Sequence, residues 1–141
     1  MQLPKPRIDK DEKSFCFGCS KANPIGLQLE FTLEDDVIKG EFTPGEYHQG
    51  WPGAIHGGIL FSLLDEAGGY AVIHSGLDCV TARCDMRFSS MAPVGETIYI
   101  TAAITKKTSR LVETDATLTL KDGSVVARNH SLWYVVGKNS R

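Results

Sequence analysis

The sequence predicts an α+β domain in which a curved antiparallel β-sheet of five to six strands wraps around one long central helix. Three observations carry this expectation. Only the segment from Ile55 to about Ser75 has helical periodicity. Every later segment alternates apolar and polar residues with period two, so the second helix that a ferredoxin-like sandwich needs is missing. Two strand-like segments precede the helix and four follow it in hairpin succession.

The elements follow in order. Residues 1–26 are rich in charge, Pro and Gly, end in Asn23-Pro24-Ile25-Gly26, and read as an irregular lead-in carrying a Cys-x-x-Cys pair; residues 27–137 carry the domain. Leu27, Leu29, Phe31 and Leu33 alternate with polar neighbours, and after Glu34-Asp35-Asp36 a second segment runs from Val37 to Thr43, which predicts a hairpin. Pro44, Gly45, Gly50, Pro52 and Gly53 make residues 44–55 a loop that approaches something closely. On the helix, Ile59, Leu63, Tyr70 and Ile73 form one stripe and Leu60, Leu64, Ala67 and Ala71 another. So wide an apolar surface belongs to a helix covered by a sheet. The strands that follow are expected at 79–90, 95–107 and 109–120, then, after Lys121-Asp122-Gly123-Ser124, at 125–136.

With 141 residues, 42% of them hydrophobic, one packed core is expected. Fifteen basic residues face seventeen acidic ones, the net charge is −2 and no basic block occurs, which argues against nucleic acid as a partner. No apolar run reaches membrane-spanning length and the residues from Met1 to Arg7 lack the apolar stretch of a secretion signal, so the expectation is a cytoplasmic protein without a membrane partner. In that setting Cys16, Cys19, Cys79 and Cys84 are expected to be unpaired. Only Cys16 and Cys19 have metal-like spacing. The other two are separated by four residues on a strand, so the reading is two small half-buried residues in an N-terminal turn, with a zinc site as the alternative.

The stretch from Trp51 to Tyr70 carries the chemistry. A helix N-terminus offers unpaired N–H groups and a positive dipole end, and glycines at 57 and 58 clear the approach to those donors. Asp65 lies in the middle of an otherwise apolar helix, where a carboxylate must pair or work. Glu66 lies about 100° further round and cannot serve the same point. Gly68 and Gly69 cost the helix about 1 kcal/mol each relative to alanine, so something must approach closely there, either substrate or a partner subunit.

His56-Gly57-Gly58, with Asp65 nine positions after the histidine and a tail of Ala67-Gly68-Gly69, resembles the PaaI-like branch of the hotdog-fold thioesterase superfamily. The resemblance covers roughly residues 24–136, including Asn23-Pro24-Ile25-Gly26-Leu27 and the run from Asp85 to Gly95. It implies hydrolysis of an acyl-CoA thioester, with the Gly57 N–H polarising the carbonyl and Asp65 acting as nucleophile or as general base on water. By the same resemblance His56 shapes the loop or hydrogen-bonds across the site, and Gly58, Gln49, Thr81, Arg83 and Ser89 contact substrate. It also implies a homodimer or homotetramer whose active sites are shared between protomers. No metal or organic cofactor is needed for this chemistry, because backbone donors and a carboxylate suffice.

The sequence departs from the family pattern at Gly50, where relatives often carry asparagine; Gln49 is the nearest substitute. On the strand after the helix, Thr81 and Arg83 are expected on one side, Thr81 to hold the Asp65 carboxylate or Arg83 to lower its pKa or bind a substrate group. The rival readings are a hotdog dehydratase or hydratase, a non-catalytic hotdog module that binds acyl-CoA, and a zinc-containing interaction domain built on Cys16 and Cys19.

Overall fold

The computed structural model describes residues 15–139; the lead-in at 1–14 lies outside the described residues. Six antiparallel strands form one sheet, β1 (Thr32–Glu34), β2 (Val37–Phe42), β3 (Leu77–Phe88), β4 (Ile98–Lys107), β5 (Leu111–Thr119) and β6 (Val125–Lys138), in the spatial order β1-β2-β4-β5-β6-β3. Among the described residues the one α-helix, α1 (Gly57–His74), packs against β2 to β6. This is the expected sheet around one helix. Among the described residues no helix is long and apolar enough to cross a membrane.

The core forms where the helix stripe meets the inward-facing strand residues. Leu63, Leu64 and Ala67 are completely buried against Ile38, Ile98, Leu118 and Val126, and each buried aliphatic side chain contributes about 1.5–3 kcal/mol. Asp35 and Asp36 both have positive φ, 50° and 64°, which gives the two-residue β1–β2 turn the hand that matches strand twist. The expected first strand begins later than its alternation suggests. Leu27 and Leu29 are buried as expected, but their N–H groups donate to the carbonyls of Phe17 and Gly18 at 2.8 and 2.9 Å. Their hydrogen-bond partner is therefore the cysteine-bearing turn, and pairing with β2 starts only at Thr32.

β3 is a twelve-residue strand on the outer edge of the sheet, beside β6 alone. Such an edge presents unpaired backbone donors and acceptors to whatever lies alongside.

Candidate active site

Asp65 projects from the middle of α1 toward β3, where the Thr81 hydroxyl donates to its Oδ1 at 2.9 Å. Burial raises the Asp65 pKa above the ordinary carboxylate value, and the Thr81 bond pulls it part of the way back. Cys79, two residues earlier on β3, is buried, and its thiol is pushed up to about 12 by burial and then by the Asp65 charge. The carboxylate thus stands over a neutral thiol. Glu66 turns elsewhere, toward the Cys16 Sγ at 3.9 Å.

The expected pairing of Thr81 with Arg83 on one side of the strand is corrected by a bulge. Thr81 pairs with Trp133 and Arg83 with Leu132, leaving Ala82 as an extra residue. One extra residue reverses the facing of everything after it. Thr81 shares the helix-facing side with Trp133, whereas Arg83 turns outward and places its Nε 3.5 Å from Asp85 Oδ1. Arg83 therefore neither lowers the Asp65 pKa nor reaches its carboxylate.

The helix glycines also have a different cause from the one expected. A Cβ on Gly68 would lie 2.9 Å from both Thr114 Oγ1 and Trp133 Cζ2, and one on Gly69 would lie 3.4 Å from the same indole. Trp133 is held there by its Nε1–H bond to Thr114 Oγ1 at 2.8 Å. The close neighbour is a tryptophan of this chain, so these glycines give no support to a partner subunit or to a substrate.

At the helix N-terminus His56 is the N-cap: its Nδ1 accepts from the Gly58 N–H at 2.8 Å, which leaves the proton of the neutral ring on Nε2. The imidazole thereby shapes the loop. The Gly57 N–H has no backbone acceptor among the described residues, as expected of the first residue of a helix. Gly57 lies against the exposed Phe88 ring, and Gly50 lets the loop close on His56, since a Cβ there would stand 3.2 Å from the His56 Cα. Gln49 is a staple of its own loop: its Oε1 accepts from the Gly53 N–H at 2.6 Å and its Nε2 donates to the Glu46 carbonyl at 2.7 Å. Both ends of the expected asparagine substitute are used within the loop. Ser89 follows Phe88 at this end, exposed, with its N–H on the Val126 carbonyl at 2.8 Å.

Two half-sites result, Asp65 with Thr81 and Gly57 with its capped loop. Eight residues of helix separate Gly57 from Asp65, roughly 12 Å along the axis. That spacing puts the carboxylate and the Gly57 N–H more than two helical turns apart in the chain. Around the Gly57 end Trp51 (80% exposed), Phe88 and Met91 stay open to solvent, an apolar rim of the kind that marks an interface or ligand surface. A groove of about 1260 Å³ between the Cys19 turn and the β1–β2 hairpin, lined by Phe31, Lys39, Tyr70 and Tyr99, contains neither Asp65 nor Gly57.

Comparison with known proteins decides the family, because the thioesterase superfamily model matches residues 52–127, a span that includes both half-sites. The chain belongs to the thioesterase superfamily. Among the curated relatives of this thioesterase-superfamily chain is acyl-coenzyme A thioesterase THEM4 of Xenopus laevis, 27% identical over 85 residues, 60% of the chain and 38% of that protein. The chain thus matches well under half of the frog protein's length. Among solved structures, the PaaI protein of E. coli, from its phenylacetic acid degradation operon, superposes with a TM-score of 0.75 at 23% identity, covering 80% of this chain and 83% of that one. A hypothetical thioesterase of Streptococcus pneumoniae, solved with coenzyme A, gives a TM-score of 0.76 at 23% identity, covering 79% and 88%. That bacterial protein was also solved as two alanine variants, one replacing an aspartate and the other a threonine sixteen residues further on. These likenesses establish the hotdog fold.

Proposed function

We propose that this member of the superfamily hydrolyses acyl-CoA thioesters in a site built from two chains. The observation that carries the reading is the Asp65–Thr81 pair, a half-buried carboxylate in the middle of α1 that accepts at 2.9 Å from a hydroxyl on β3. Asp65 and Thr81 are separated by sixteen residues, the separation of the two positions replaced in the S. pneumoniae protein.

Thr81 occupies Oδ1 and leaves Oδ2 to take a proton from water, and the raised pKa makes Asp65 a stronger base than an exposed carboxylate. That water attacks the carbonyl carbon while the Gly57 N–H of a second chain, at the positive end of its helix, holds the developing oxyanion. Collapse of the tetrahedral intermediate expels the CoA thiolate, and the proton on Asp65 returns to the departing sulfur or to solvent. The open β3 edge supports this assembly, because pairing two chains along it would satisfy its free backbone groups, and the exposed Trp51, Phe88 and Met91 offer apolar surface for such a contact.

The test is release of free CoA thiol from a panel of short, medium, long and aromatic acyl-CoA esters. The proposal predicts catalytic turnover of at least one class. Thiol release no faster than the uncatalysed rate for every ester would refute it.

A further inference from the structure

The motif that the thioesterase chemistry leaves unused is Cys16-Phe17-Gly18-Cys19, and the fold brings it against the helix. The Ser20 N–H donates to the Cys16 carbonyl at 3.0 Å and closes the turn, while Leu27 and Leu29 stitch it to the body of the protein. Beneath it lies Glu66. A Cβ on Gly18 would fall 2.5 Å from Glu66 Oε2, so only glycine lets the carboxylate sit directly on the turn. Cys16 Sγ, Cys19 Sγ and a Glu66 carboxylate oxygen all lie within 4.8 Å of one another, each on a half-buried residue.

We propose that Cys16, Cys19 and Glu66 form a binding site for one thiophilic divalent cation of the zinc class. A tetrahedral zinc with bonds of about 2.3 Å to sulfur and 2.0 Å to oxygen holds its ligands about 3.5–3.8 Å apart, so groups that lie within 4.8 Å of one another need to close by at most about 1.3 Å. Two cysteines separated by two residues are the usual half of a structural zinc site, and the soft sulfur ligands select zinc over magnesium or calcium. On binding, each thiol releases its proton to solvent as its metal–sulfur bond forms, the carboxylate binds as it stands, and a water completes the fourth position. The bound ion pins the N-terminal turn to α1 one residue beyond Asp65. It takes no part in thioester cleavage, and the site stands whether or not that activity does.

The experiment uses the whole chain, stripped with chelator under reducing conditions and titrated with Co²⁺ alone, then loaded with Zn²⁺ and desalted for elemental analysis. The expected result is a thiolate-to-cobalt charge-transfer band that saturates at about one ion per chain, and about one zinc retained per chain. The Cys16→Ser, Cys19→Ser double variant should lose both. Glu66→Gln should keep the band but weaken binding at least about tenfold. Unfolding of the N-terminal turn on chelation, seen as new protease sensitivity reversed by zinc, also supports the site. No cobalt band in the reduced wild-type chain overturns the proposal, as does zinc retention unchanged by the double variant.

Discussion

Replacing Asp65 by asparagine separates chemistry from folding, because the amide keeps the shape and its Oδ1 can still accept the Thr81 hydroxyl that now lies 2.9 Å away. Folding should not suffer. The variant removes a charge whose burial is the main cause of its raised pKa, so the melting temperature should stay level or rise. Catalysis should fall, since an amide cannot take the proton of attacking water. The loss of a general base is worth about 10²–10⁴-fold, or about 2.7–5.5 kcal/mol of barrier. The assay is kcat/KM for the best acyl-CoA ester beside a thermal melt of the same sample. Glu66→Gln is the matched control: its carboxylate faces Cys16 and Cys19 rather than Thr81, and turnover should remain within about tenfold of wild type. A dead Glu66→Gln beside an Asp65→Asn variant with near-normal turnover would refute the assignment.

Other variants test neighbouring links. In the proposed mechanism activity needs ionised Asp65 and should be lost as pH falls through its pKa; the Thr81 bond lowers that pKa, so Thr81→Val should move the acid limb of kcat/KM to higher pH and Thr81→Ser should leave it in place. An acid limb unmoved in Thr81→Val would remove the hydroxyl from the site. Gly68→Ala places a methyl 2.9 Å from Trp133 and Thr114, an overpacking cost of about 1–3 kcal/mol against about 1 kcal/mol of helix propensity gained. Gly69→Ala meets its nearest atom at 3.4 Å and keeps that gain, so thermal melts should rank Gly69→Ala at or above wild type and Gly68→Ala below it. The reverse order would contradict the packing described for Trp133.

Local periodicity made much of the fold legible. The expected helix at 55–75 is observed at Gly57–His74, and the four later strands lie within a few residues of their expected bounds, because burial on one face imposes the 3.6 and 2.0 periods directly. The capped Gly57 turn and the isolated Asp65 could be found for the same reason, each being a breach of local pattern. What escaped depends on pairing between distant segments. The bulge at Ala82 is defined by how β3 registers on β6, and no count along β3 alone shows that Arg83 turns outward. Trp133 meets Gly68 from 65 residues away, so the glycines were legible as a demand for space but not as a demand by that residue. Cys16 and Cys19 lacked a third ligand in linear spacing because Glu66 comes from the helix, fifty residues on from Cys16.

The central claim, that one chain's Asp65 works with another chain's Gly57, is tested most directly by complementation. An Asp65→Ala chain lacks the carboxylate, and a Gly57→Pro chain lacks the N–H that polarises the carbonyl, so each alone should be inactive. Mixed under conditions that exchange subunits, they should form hetero-oligomers in which one site per pair has both groups intact. The account predicts thioester hydrolysis that appears only on mixing, reaching about a quarter of wild-type turnover when half the pairs are mixed and each carries one working site of two. No recovery after demonstrated subunit exchange, or full turnover by a wild-type chain that sediments as a monomer, would contradict it.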